Sequence, residues 1–354
     1  MVTHLERPLG RGRTPAGACT GAAGGAACGD LVRVSVAIDP RSPDGRVADA
    51  GFDASGCGAT IAAGSAVVGL VRGAPLLEAA RLSAKEIASE LGGLGASKRH
   101  AAELAADALH RALGSAARER AALSPAQGRT LVAMSGGVDS AVAALLVSEE
   151  GAQAVGVTLE LWSDAENDGD LSCCSAQAVR AARELAHGLG MPHLSIDLRA
   201  EFRAGVVDHW ISDHAAGLTP NPCVRCNGNV RLDAMLDLAS RLGARTLATG
   251  HYARVHDGGM LRMAADESKD QSYVLSALAP SSLERLRFPL GTLRKPRVRS
   301  HGRRFPCRMA QSAGAGSHAR VRLELAQPAE RTAPGQLACL YAGDMVVGYG
   351  TIAS

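Results

Sequence analysis

The chain has 354 residues, 46% apolar and 21% charged, proportions that exclude wholesale disorder or a fibrous repeat and give length for two or three domains. Aromatic residues make up only 3%, so the cores must be built mainly from Ala, Val and Leu. The 38 basic and 35 acidic residues leave a net +3, too small a charge to indicate a partner by itself.

Residues 1–27 are rich in Gly, Ala, Arg and Thr without a period and read as a flexible leader. Leu31–Ile38 and Val47–Ala54 read as strands around a turn at Pro40–Gly45, and Ser83–Leu91 and Ser97–Leu113 carry helical spacing. Residues 28–115 therefore form a small α+β unit, followed by a linker over 116–129. The uncharged window Ala54–Val71 has the nominal length of a membrane span, but its glycines, serines and threonine make it too polar, so no membrane association is expected.

A second pattern fills residues 130–308. Strands at Thr130–Met134, Ala154–Leu161, His193–Leu198 and Thr246–Thr249 alternate with helices such as Ser140–Glu150 and Ala176–Leu189. That alternation indicates a doubly wound parallel sheet, whose ligands sit beyond the carboxyl ends of its strands. The loops after Met134, Leu161 and Thr249 are thus where chemistry is expected. Residues 309–354 read as a few antiparallel strands, Arg320–Leu325, Leu337–Tyr341 and Met345–Tyr349, too short for an independent barrel.

Ser135-Gly136-Gly137-Val138-Asp139-Ser140 follows the first of these strands and opens a helix. Two glycines let backbone N–H groups approach an anion, the helix end adds positive potential, and Ser135 and Ser140 add hydroxyl donors. The stretch lacks the Gly-Lys-Ser/Thr ending of a Walker loop. It resembles the PP-loop of ATP pyrophosphatases, which cut ATP between the α and β phosphates. The resemblance implies an ATP site of Ala133, Met134, Ser135, Gly136, Gly137, Val138, Asp139, Ser140, Leu159 and Gly250, with Asp139 positioning Mg2+ or a substrate group.

Nine cysteines are thinly spread, and no charged-then-apolar signal segment follows Met1, so reduced cytoplasmic thiols are expected. Thr219-Pro220-Asn221-Pro222-Cys223-Val224-Arg225-Cys226-Asn227 reads as a rigid loop exposing two thiols. The pair suits either half of a structural zinc site, with Cys173-Cys174 as further ligands, or a nucleophilic thiol that the Arg225 cation favours as thiolate.

SGGVDS, CCS at Cys173, TPNPCVRCN, ATGHYARV at Ala248–Val255, KDQSYVL at Lys269–Leu275 and FPLG at Phe288–Gly291 follow the order of the tRNA 2-thiouridylase (MnmA) family, which residues 130–300 resemble almost throughout. The tail PGQLACLYAGDMVVGYGTIA is similar to the end of that family's β domain. The resemblance implies that ATP adenylylates the C2 oxygen of a tRNA wobble uridine and a cysteine persulfide then delivers sulfur. It implies tRNA and a cysteine desulfurase or other persulfide donor as partners. It makes Cys226 the nucleophile and places Asn221, Pro222, Cys223, Lys269, Asp270 and Gln271 against tRNA. The family's second cysteine motif is absent, and the sequence passes from Arg299 almost directly to the tail; Cys307 lies near the missing motif and is the candidate to stand in for it. Nine Lys or Arg and no acid between Arg285 and Arg308 suit phosphate contact. Competing readings are another PP-loop enzyme, or a sulfur-handling scaffold that binds ATP or tRNA without turnover.

Cys28-Gly29-Asp30, Gly56-Cys57-Gly58 and Lys98-Arg99-His100 resemble the iron–sulfur scaffold family IscU/NifU. That resemblance implies a site of Cys28, Asp30, Cys57 and His100 for an iron–sulfur cluster or Zn2+, with Ala101 where the family has a third cysteine.

Overall fold

A computed structural model describes residues 1–24, 29–162, 176–302 and 333–352. Cys28, Cys173, Cys174, Cys307 and the strand expected at Arg320–Leu325 lie outside the described residues.

The N-terminal unit is a three-stranded antiparallel sheet, β1 (Cys19–Gly24), β2 (Leu31–Ile38) and β3 (Val47–Ser55), in that spatial order. Alternation of Val with polar residues puts Val32, Val34 and Val36 into the core, each fully buried. The helices Gly58–Val71 and Arg99–Glu119 cover them. Gly58–Val71 is the uncharged window of the sequence; its small residues let it bury nearly all round inside the unit.

The flexible-leader expectation is corrected here. Val2–Glu6 is helical, and residues 19–24 pair with β2 in unbroken register from Cys19↔Val36 to Gly24↔Leu31. CTGAAG has no β-branched alternation to announce a strand; it is one because β2 offers a free edge and the Arg99–Glu119 helix packs against it. The expected linker is also shorter, since that helix continues to Glu119.

The second unit is a five-stranded parallel sheet, β4 (Arg129–Ala133), β5 (Gln153–Glu160), β6 (His193–Asp197), β7 (Thr246–Ala248) and β10 (Leu286–Arg287), in the order β10-β7-β4-β5-β6. The chain runs outward from β4 through β5 to β6, then returns to the other side of β4 with β7. The reversal leaves a crevice between the carboxyl ends of β4 and β7, the place where such sheets bind ligands. A four-stranded antiparallel sheet, β8 (Arg254–His256), β9 (Met260–Arg262), β11 (Leu337–Ala342) and β12 (Met345–Thr351), joins the tail to the loop after β7. Asp344 ties it down by accepting from both Arg254 and Arg262.

The Arg99–Glu119 helix belongs to both units. One face covers β1 and β2, and another lies on β6, the edge of the parallel sheet. The contact is close enough that a Cβ on Gly114 would stand 1.9 Å from the Ser195 carbonyl oxygen. Arg111 donates to both oxygens of buried Glu160 at 2.7 and 2.8 Å, and Asp107 accepts from Arg180 and Arg183. His110 is enclosed beside the carbonyls of Leu82 and His193, and burial, then Arg183 and His187, push its imidazole down to about 3. No helix among the described residues is long and apolar enough to cross a membrane.

Candidate functional site

The glycine turn expected to cradle an anion forms where β4 ends. Gly136 adopts φ +74°, a left-handed conformation that glycine alone takes without strain, and Gly137 caps the helix Val138–Glu149. A Cβ on Gly136 would stand 2.7 Å from the Ala178 carbonyl, so the helix Ala176–Gly188 backs the loop. The Ser140 hydroxyl accepts from the Ser135 N–H at 3.1 Å and donates to the Gly137 carbonyl at 2.9 Å, which holds the turn open. Gly250, just past β7, completes the crevice: its Cβ would meet the Ser140 nitrogen at 2.8 Å. Leu159 is buried in β5, and Ala133 and Met134 close the strand, with the Met134 N–H donating to the Val157 carbonyl at 2.8 Å.

Asp139 lies in the first turn of the helix, not in the loop. Lys295 donates to both its carboxylate oxygens at 2.5 and 2.6 Å, and the Tyr252 hydroxyl donates to Oδ1 at 2.9 Å. Burial, then the Asp139 carboxylate, raises the Tyr252 phenol far above its ordinary value, so it remains a donor. Neither Lys295 nor Tyr252 was singled out by the sequence reading. Lys295 is hidden in a basic run whose other members Arg294, Arg297 and Arg299 are exposed, and only packing of the Lys295–Gly302 helix distinguishes it. Tyr252 stands inside the ATGHYARV motif, a signal that was available.

Cys223 and Cys226 do not sit in an exposed loop. Pro222 takes the first position of a short helix, Pro222–Cys226, because its fixed φ suits a helix start. Cys226 is therefore buried, while Cys223 is partly accessible beside Tyr273. Near the thiols, Asn221 Oδ1, Asn227 Oδ1 and Arg231 Nε are buried with no hydrogen-bond partner among the described residues. Such atoms are costly unless a ligand meets them. Burial, then Arg231, holds His251 down to about 3, and His251 directly follows Gly250. The Pro222–Cys226 helix packs on the Ser272–Leu275 turn, and Gln271, just before that turn, accepts from the N–H of Tyr252, whose hydroxyl donates to Asp139.

Of the turn Lys269-Asp270-Gln271, only Lys269 is exposed. Asp270 accepts from the Ala264 N–H at 2.8 Å and the Ser272 hydroxyl at 2.6 Å, and Gln271 accepts from the Tyr252 N–H at 3.0 Å. These two side chains build the wall behind Tyr252.

In the N-terminal unit Asp30, Cys57 and His100 come together, with one donor atom of each within 4.8 Å of the others. The Thr60 hydroxyl donates to Asp30 Oδ2 at 2.5 Å and the Cys57 N–H to Oδ1 at 3.2 Å, while His100 Nε2 lies 3.4 Å from Oδ2. Burial, and more weakly Asp30, work to raise the Cys57 thiol, but the Thr60 hydroxyl, shared between Asp30 and the sulfur at 3.4 Å, and the N–H groups of Thr60 and Ala59 outweigh them and lower it. Cys57 caps the Gly58–Val71 helix, whose positive end favours thiolate. Carboxylate, thiolate and imidazole form a donor set that fits Zn2+, and Cys28, the further ligand expected from the sequence, lies outside the described residues. Thr60 is the residue the sequence did not flag: it orients Asp30. Thr60→Val should weaken Zn2+ binding by about 10- to 100-fold, measured by competition with a chromophoric chelator. Unchanged affinity would remove Thr60 from the site.

Residues 128–315 match the family model described as the tRNA methyl transferase HUP domain, residues 1–122 the NifU-like N terminal domain, and residues 293–352 the aminomethyltransferase beta-barrel domain. The chain is 45% identical over 310 residues to a bifunctional protein NifU/MnmA of Rubrobacter xylanophilus, covering 84% of this chain and 62% of that one. It is 42% identical over 179 residues to a tRNA-specific 2-thiouridylase MnmA of Amoebophilus asiaticus, covering 49% of this chain and 48% of the relative. A similar enzyme of Acidithiobacillus ferrooxidans is 44% identical, covering 50% of this chain and 49% of its own. The chain thus spans about half to three-fifths of the length of these relatives.

Proposed function

Because the chain belongs to the tRNA methyl transferase HUP domain family, we propose that it is an ATP-dependent tRNA-uridine 2-sulfurtransferase. What supports this reading is the packing of the Pro222–Cys226 helix on the Ser272–Leu275 turn, whose neighbour Gln271 holds Tyr252, the residue that donates to Asp139 of the Ser135–Ser140 turn. ATP with Mg2+ binds over Gly136, Gly137 and Gly250, with Asp139 facing the metal-bound phosphates. A uridine flipped out of the anticodon loop enters beside Asn221, Pro222 and Cys223. The unsatisfied Asn221, Asn227 and Arg231 atoms supply the polar edge that a uracil ring needs. Uridine O2 attacks the α-phosphorus, pyrophosphate leaves, and the N3 proton passes to water. The terminal sulfur of a Cys226 persulfide then attacks C2 and AMP departs; a second thiol, for which Cys307 is the candidate, attacks the Cys226 sulfur and breaks the S–S bond, so that 2-thiouridine leaves and the resulting disulfide is reduced by an external thiol. The sulfur comes from a cysteine desulfurase or another persulfide donor.

The remainder of the tRNA crosses the Lys269–Gln271 turn and the exposed Arg294, Arg297 and Arg299. The NifU-like unit holds Zn2+ or an iron–sulfur cluster through Asp30, Cys57, His100 and Cys28, and the protein works in the cytoplasm. Cys307 remains the candidate second cysteine. The test is thiouridine formation in tRNA transcripts supplied with MgATP and a persulfide donor. Product that requires ATP supports the assignment, and ATP-dependent activation of a small acid instead of tRNA would replace it with an amidating ligase.

A further inference from the structure

We propose that Lys295 is the cation that receives the departing pyrophosphate, an assignment that rests on the ATP-cradle reading and deepens it. Lys295 opens a helix whose neighbouring basic residues Arg294, Arg297 and Arg299 face solvent, yet it is only 8% exposed. Its backbone is fixed by its N–H donating to Asp266 at 2.8 Å, and the helix is anchored by fully buried Val298, which packs with Val142 of the helix after the cradle. The ammonium is held at the Asp139 carboxylate, 5.3 Å from the centre of the Tyr252 ring. Two of its three N–H groups are used on Asp139, and no acceptor for the third is found among the described residues.

The reason for this arrangement is electrostatic. Asp139, in the first turn, sets a negative charge against a helix end that must attract a polyanion. Lys295 cancels that charge and keeps one N–H that is not spent on Asp139. When uridine O2 bonds to the α-phosphorus, the bond from that phosphorus to the bridging oxygen breaks and its electron pair stays on the β-phosphate. The new negative charge develops on the leaving group, and a preset ammonium lowers the barrier without having to reorganise. Because the interaction is with pyrophosphate and not with the adenosine half, loss of Lys295 must discriminate between the two.

Calorimetric titration of the full chain with inorganic pyrophosphate and Mg2+, and separately with AMP, tests this. Lys295→Met should weaken pyrophosphate about 10- to 100-fold, the range for losing one charge-assisted contact, with AMP changed less than about twofold. Lys295→Arg should recover part of the pyrophosphate affinity. The charge-neutral double variant Asp139→Asn/Lys295→Met separates the alternatives. If Lys295 only neutralises Asp139, the double variant regains pyrophosphate binding, and the proposal is wrong. Equal weakening of AMP and pyrophosphate also overturns it. Pyrophosphate binding by Lys295→Met equal to that of the unsubstituted chain removes Lys295 alone and leaves the ATP reading standing. Failure of the unsubstituted chain to bind pyrophosphate or AMP brings down both.

Discussion

Cys226→Ser should reduce thiouridine formation by at least about a thousandfold while leaving ATP-dependent release of pyrophosphate in place. Serine matches cysteine in shape, so the buried position at the end of the Pro222–Cys226 helix is filled and the fold retained. A hydroxyl, however, cannot accept a sulfane sulfur, and no persulfide forms. The two half-reactions then separate: uridine O2 is still adenylylated over the cradle, but only water can attack C2 and restore uridine. Labelled pyrophosphate release and mass spectrometry of digested tRNA read the two steps independently. Cys223→Ser provides the contrast, because Cys223 is the more accessible thiol and lies beside Tyr273, in the segment assigned to base contact. If Cys226→Ser makes thiouridine at the unsubstituted rate, the nucleophile lies elsewhere, with Cys307 the next to replace.

Much of this site is legible in the sequence because its signals are local. The short run Thr130–Met134 ending in Ser-Gly-Gly predicts strand, turn and helix in that order, and Asp30, Cys57 and His100 each sit in a motif that can be read alone. What escapes is set by distant packing. Cys19–Gly24 is a strand only because β2 and the Arg99–Glu119 helix are there to pair and cover it. Lys295 is indistinguishable from the arginines around it until Val298 turns its helix inward and aims one ammonium at Asp139. Burial of Cys226 follows from Pro222 starting a helix where a proline-bracketed segment suggests a loop.

The joining of the two units is the feature least legible from either half, and Asp107→Asn should expose how much the protein depends on it. Asp107 is almost fully buried on the shared helix and takes Arg180 on one oxygen, at 2.6 and 2.8 Å, and Arg183 on the other, at 2.6 Å. Burial works to raise its carboxyl, but Arg183 and Arg180 outweigh it and hold the group ionised. Arg183 is itself buried, one of its terminal nitrogens already lacks a partner among the described residues, and it adds to the burial that lowers His110, His187 and His193. Neutralising this carboxylate leaves the buried Arg183 guanidinium without an ion-pair partner among the described residues. Breaking a buried pair in this way costs about 3–5 kcal/mol, whereas Arg118→Ala, at an exposed pair with Glu201, should cost less than about 1 kcal/mol. Urea unfolding of the full chain at pH 7.5 distinguishes them. The damage should also reach the Ser135–Ser140 turn, because Arg180 and Arg183 stand on the helix whose Ala178 carbonyl backs Gly136, so binding of AMP and pyrophosphate at the proposed site should weaken together in Asp107→Asn. A midpoint as close to the unsubstituted chain as that of Arg118→Ala would mean that the shared helix is a mere contact, and that the two units are stable independently of each other.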